Sequence, residues 1–78
     1  MKIFSLNTVN LKNEVIIHSL NCSGHIRRRL LDLGLCNGTK IIPIFKSLTC
    51  DSTAYLIRGS TIALRNEDAE NIYVTICD

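Results

Sequence analysis

The sequence has no tryptophan, a single proline and only four aromatic residues, Phe4, Phe45, Tyr55 and Tyr73. A core built from this chain must therefore be filled by Ile, Leu and Val. Charge is scarce as well: 21% of residues are charged against 46% hydrophobic, and the formal net charge is +2. That balance excludes the low-hydrophobicity, high-charge composition of disordered chains. It also lacks the clustered cations with which proteins neutralise a phosphate backbone, so no nucleic-acid partner is expected. No apolar run approaches the ~20 residues needed to cross a bilayer; the longest, Ile41 to Phe45, is interrupted by Pro43. The opening residues, Lys2-Ile3-Phe4-Ser5-Leu6-Asn7, are too broken for a signal-peptide core. The chain reads as cytoplasmic, without direct membrane insertion, and with its four cysteines reduced.

What is present fits one small domain over residues 1–78 with a thin core, since a chain of this size removes only about 60% of its unfolded surface from water. The charge is unevenly spread. All nine Lys and Arg stand at or before Arg65, and Glu67, Asp68, Glu70 and Asp78 crowd the end. Glu14 to Leu20 is β-branched and reads as a strand. The clearest helix spans Gly24 to Leu33, with Ser23 as N-cap, an Ile26-Leu30-Leu33 stripe, and an Arg28–Asp32 pair on the far side. Gly34 stands where a helix ends in a left-handed residue, and Leu35 can fold back onto Leu30.

Asn37-Gly38 marks a turn, and Thr39 to Phe45 a strand whose Pro43 implies an edge or a bulge. An edge there would permit weak homo-oligomers. A polar loop, Lys46 to Ser52, precedes a hairpin of Thr53–Arg58 and Thr61–Arg65 around Gly59-Ser60. Asn66 to Ala69 suits one helical turn, and Ile72 to Cys77 a last strand. The sum is mostly β: about five strands in a small barrel, one helix between the first and second, and a helical turn before the last. Scattered apolars in the first dozen residues suit an arm or short strand, and closure of the sheet would remove sticky edges.

Catalytic patterns are missing. No carboxylate pair accompanies a nucleophile and no glycine-rich phosphate loop occurs, so the chain does not read as an enzyme. Cys22-x-x-His25 could begin a metal site, with His18 or Cys36 completing it. Structural zinc usually takes two short-spaced pairs, whereas the cysteine intervals are 14, 14 and 27 residues. Buried free cysteines acting as small hydrophobes account for the pattern better. No metal or cofactor is expected, and Cys22 and His25 stand as weak candidates only.

Arg27, Arg28 and Arg29 form the one basic run. Successive helical side chains diverge by about 100°, so the three cannot converge on one phosphate. They form either a solvated face whose stems cover apolar surface or a docking face for carboxylates of a partner protein. Leu31 lies off the apolar stripe, which makes it half of a partner surface or a residue covered by the N-terminal arm.

The stretch Leu20-Asn-Cys-Ser-Gly-His-Ile-Arg-Arg-Arg-Leu-Leu-Asp-Leu-Gly-Leu-Cys-Asn-Gly-Thr-Lys-Ile-Ile42 resembles the FeoA family, ferrous-iron transport protein A, in the form found in clostridia. Ala54-Tyr-Leu-Ile-Arg-Gly-Ser-Thr-Ile-Ala-Leu-Arg65, followed by Glu67 to Ile72, carries a second match in the right order. The resemblance implies an SH3-like small barrel with an inserted helix, and an accessory role beside the FeoB ferrous-iron transporter, a membrane protein with a cytosolic GTP-binding domain. It transfers no catalytic residues. A direct Fe(II)-binding chaperone, or a regulatory module like that of DtxR-type repressors, is the alternative. The docking residues expected under the leading reading are Arg27, Arg28, Arg29, Leu31 and Asn37. Asn13, Asn37, Ser47 and Ser52 stand where the family commonly has glycine or proline, which predicts a less rigid loop before Thr53.

Overall fold

The computed structural model describes residues 2–76. Cys77, expected in the last strand, and Asp78 lie outside the described residues. Six strands form one antiparallel sheet: β1 (Ile3–Ser5), β2 (Val15–Leu20), β3 (Lys40–Lys46), β4 (Ser52–Ile57), β5 (Ser60–Arg65) and β6 (Ile72–Ile76). Their spatial order is β1-β6-β2-β3-β4-β5. Helix α1 (Gly24–Asp32) joins β2 to β3, and the single turn of α2 (Asn66–Ala69) joins β5 to β6. The expected strands and helices are all found, with one strand more: the N-terminal arm becomes β1 and pairs with β6 through Ile3↔Thr75, Phe4↔Val74 and Ser5↔Tyr73.

Alternation along the strands builds the core. Val15 and Ile17 of β2, Ile72 and Val74 of β6, and Tyr55 and Ile57 of β4 all turn inward and are buried. Tyr55 is the largest of the fully buried side chains. Burial raises its phenol pKa above 10.0, against a smaller lowering by a hydrogen bond with Thr53. Leu6, on a 3-10 turn after β1, and Ala69, on α2, are fully enclosed within the same cluster.

Four local expectations are corrected. The sheet does not close on itself, because β1 and β5 are the two ends of the strand order and do not pair. Pro43 sits at a bulge, as its chemistry demands, but not at an edge: β3 lies between β2 and β4, and Pro43 is buried. Its missing N–H leaves no gap, since β2 pairs with β3 only at Val15↔Ile41 and Ile16↔Lys40. A pairing edge at Pro43 between copies is therefore ruled out. The hairpin closes at Ile57↔Ser60, so its two-residue turn is Arg58-Gly59, one residue earlier than expected. Both have positive φ, 51° and 82°, as a type I′ turn requires. Finally, the Ser23 backbone is extended as a cap should be, but its hydroxyl makes no capping bond.

The exit of α1 follows its sequence closely. Gly34, at φ 97°, donates to the Leu31 carbonyl, and the Leu35 N–H donates to the Leu30 carbonyl, both at 3.0 Å. This is a full Schellman motif, which satisfies two of the helix's orphan carbonyls. It also sends Leu35 into the core, where it is fully buried.

Candidate docking surface

Helix α1 touches the core along one line only. Leu30 is its single buried residue, and Ile26, Leu31 and Leu33 remain 39%, 41% and 40% exposed. The expected stripe is thus only partly a core stripe. Leu35, arriving through the Schellman turn, joins Leu30 in the core cluster, while the other residues of α1 stay exposed. At 100° per residue, Ile26 and Leu33 stand about 40° and 60° to one side of Leu30. Arg27 and Leu31 stand to the other side.

The arginines separate in the same way. Arg27 is tied back, its guanidinium donating to the Leu20 carbonyl at 3.1 Å. Arg28 and Arg29 are exposed. Among the described residues the one ion pair is Arg65–Glu67 at 3.5 Å, so the expected Arg28–Asp32 pair is not formed. Asn37, in the loop after α1, donates its side-chain amide to the His18 carbonyl, and the Gly38 N–H donates to the Ile17 carbonyl at 2.8 Å. These bonds lash the exit loop to β2. Asn37 thus fixes the loop through its side chain.

On the far flank of α1, Ile26, Arg29 and Leu30 face Ala63, Leu64 and Arg65 of β5 and Glu67 and Asp68 of α2 across a groove of about 490 Å³. From the sequence Ile26 and Leu33 read as part of the core stripe, not as surface residues, and this groove was not expected. Helical periodicity marks Ile26 and Leu33 as apolar but does not say how deeply the helix sits.

Cys22 is half-buried against the core cluster and His25 is exposed at the start of α1. Cys36 lies beside Thr39, 3.2 Å from its hydroxyl, with Arg58 reaching both. Among the described residues no group of three or more His, Cys, Asp and Glu side chains converges as a metal site would. Among the same residues no helix is long and apolar enough to cross a membrane.

The loop between β3 and β4 is well braced despite its missing prolines. The Ser47 and Thr49 hydroxyls donate to one Asp51 carboxylate oxygen at 3.0 and 2.8 Å, and the Ser47 hydroxyl accepts from the Ser52 N–H at 3.3 Å. The Thr49 bond, then the Ser47 bond, hold the Asp51 carboxyl below its ordinary value of 3.8.

Six antiparallel strands in one open sheet, with a helix between β2 and β3, make this an SH3-like small β fold. The family model for the FeoA domain matches residues 4–76, and the chain belongs to the FeoA family, which is associated with ferrous-iron transport. Among solved structures it is similar to a FeoA-like protein from Clostridium acetobutylicum, at 29% identity and TM-score 0.89, covering 100% of this chain and 91% of that one. FeoA from Chlorobium tepidum is similar at 27% identity and TM-score 0.90, covering 96% and 71%. The fold recurs in T. acidophilum IdeR, at 20% identity and TM-score 0.85, where it matches 99% of this chain but 35% of that one. No curated protein sequence matches the chain.

Proposed function

We propose that this chain is a cytoplasmic accessory protein of ferrous-iron uptake that acts by docking, without catalysis, onto the cytosolic region of a FeoB-like transporter. The observation that carries this reading is α1. It buries one residue while presenting Leu31, Arg28 and Arg29 to solvent, with no carboxylate paired to either arginine among the described residues. Arg28 stands about 60° around the helix from Leu31. A planar guanidinium beside an exposed aliphatic side chain suits a partner surface of carboxylates rimming an apolar pocket. Arg29 stands on the other flank beside Ile26. The Schellman turn and the Asn37 bond hold that face rigidly, which lowers the ordering cost of association. Membership of the FeoA family supplies the process, and the FeoB-type partner comes with the family resemblance.

The test is to titrate isotope-labelled protein with the cytosolic region of the transporter and follow backbone amides. Shifts should centre on α1 and the turn through Asn37, and Arg28→Glu with Leu31→Ala should weaken binding at least tenfold, in the range of interface hot spots. Shifts confined to β6 with a silent α1 would overturn the proposed surface.

A further inference from the structure

We infer that β5 is a self-complementary edge at which two copies of this chain pair antiparallel, continuing the sheet across a two-fold axis. The inference is independent of the transporter reading. β5 ends the strand order and pairs only with β4. The Ile57↔Ser60 pair that closes the two-residue turn is hydrogen-bonded, and alternation makes Tyr55↔Ile62 and Thr53↔Leu64 hydrogen-bonded as well. The N–H and C=O groups of Thr61 and Ala63 therefore point away from β4. Among the described residues nothing pairs with them. Natural edges are commonly blunted by short length, proline, a bulge or an inward charge. β5 has six residues, an unbroken register against β4 and no charge before Arg65. The opposite edge, β1, has three residues.

The identity of the occupant follows from the sequence of the edge itself. Setting Ala63 against Ala63 of the second copy creates a hydrogen-bonded pair at the axis. In that register Ile62, half-buried beside the core cluster, meets the second copy's Leu64. Ser60 meets Asn66, and the Arg58 turn lies beside the first turn of α2 with its Glu67 and Asp68. Apolar faces apolar, polar faces polar and cation faces anion, and each relation occurs twice, as an isologous interface requires. The groove against α1 leaves space along the C-terminal half of this edge, and Ile26 and Arg29 flank it.

Sedimentation of the full chain from about 10 μM to about 1 mM should show a concentration-dependent dimer, the affinity range of a small wet interface. In the same range the Thr61 and Ala63 amides should become protected from hydrogen exchange. A mixture of labelled and unlabelled protein should give intermolecular contacts between Ile62 and Leu64. Arg58→Glu and Asp68→Arg should each weaken the dimer several-fold, and the double exchange should recover most of the loss. A monomer throughout overturns the inference. So does a dimer whose Thr61 and Ala63 amides stay unprotected, or a double variant weaker than either single one. The amide and contact measurements use the unaltered chain, so a poorly folded variant does not decide the matter.

Discussion

Arg58 holds its backbone at φ 51°, a left-handed conformation that costs an ordinary side chain about 1–2 kcal/mol. Its guanidinium makes only long contacts, 3.5 Å to the Thr39 hydroxyl and 3.6 Å to the Cys36 sulfur, from an exposed position. Asparagine tolerates this conformation, and Asn-Gly is the favoured type I′ pair. Arg58→Asn should therefore stabilise the protein by roughly 0.5–1 kcal/mol, visible as a higher denaturant midpoint at unchanged slope. Asp51 gives a second expectation. Its folded carboxyl is held below its ordinary value by the Thr49 and Ser47 hydroxyls. The unfolded state then binds the proton more readily, so this contribution to stability is present above the ordinary carboxylate range and is lost as pH falls through the folded value. Thr49→Ala should move the Asp51 titration, followed by carboxyl carbon shifts, back toward the ordinary value and flatten the acid limb below about pH 4. Neither residue announces this in the sequence. Arg58-Gly59 and Gly59-Ser60 are both credible two-residue turns, and only the pairing register chooses between them. The Asp51 contacts depend on a loop conformation with Cys50 at φ 59°.

At the scale of the element, α1 separates two leucines that adjoin in sequence. Leu30 is 2% exposed and Leu31 is 41% exposed. Leu30→Ala should cost about 2–5 kcal/mol through lost burial and the cavity left behind. Leu31→Ala should change stability by less than about 0.5 kcal/mol while weakening capture of the proposed partner. Chemical denaturation of both variants checks the first pair of outcomes, and the titration above checks the last. Equal stability losses would mean that Leu31 is a core residue. The two ends of the helix differ in how far the sequence revealed them. Its exit was readable because a Schellman motif needs only a left-handed residue and a following apolar one, and Gly34-Leu35 supplies both. Its depth was not. Periodicity orients a helix to within a face but does not set how deep it sits: α1 buries Leu30 alone, and Leu35, beyond the turn, is the next leucine in the core. The docking residues divide as well: Arg27 is drawn back to the Leu20 carbonyl and Asn37 to the His18 carbonyl, leaving Arg28, Arg29 and Leu31 as the free part of the expected set.

Across the whole molecule, stability depends on a short segment that reads in the sequence as an arm or short strand with scattered apolars. β1 contributes just the three-residue ladder to β6, too little to hold an exposed strand by itself. What holds it is Leu6, directly after β1, which is fully buried in the same cluster as Val15, Ile72 and Val74. Of the scattered apolars of this arm, Ile3, Leu6, Val9 and Leu11, the fold buries Leu6 completely and leaves Ile3 49% and Leu11 41% exposed. In a domain this small each enclosed side chain is a large share of the core, and total stability is of order 5–15 kcal/mol. Leu6→Ala should remove about 2–5 kcal/mol of it. At about 4–8 °C per kcal/mol for a domain of this length, the thermal midpoint should fall by roughly 10 °C or more. Ile3→Ala, on the same arm, should leave it nearly unchanged. The pair distinguishes a ladder from an anchor. If β1 were held by its hydrogen bonds to β6, the two variants would behave alike, and amide exchange in β1 would be indifferent to Leu6. If Leu6 is the anchor, its truncation should release the β1 amides first, while those of β3 and β4, joined by their own longer ladder, remain protected up to the global transition.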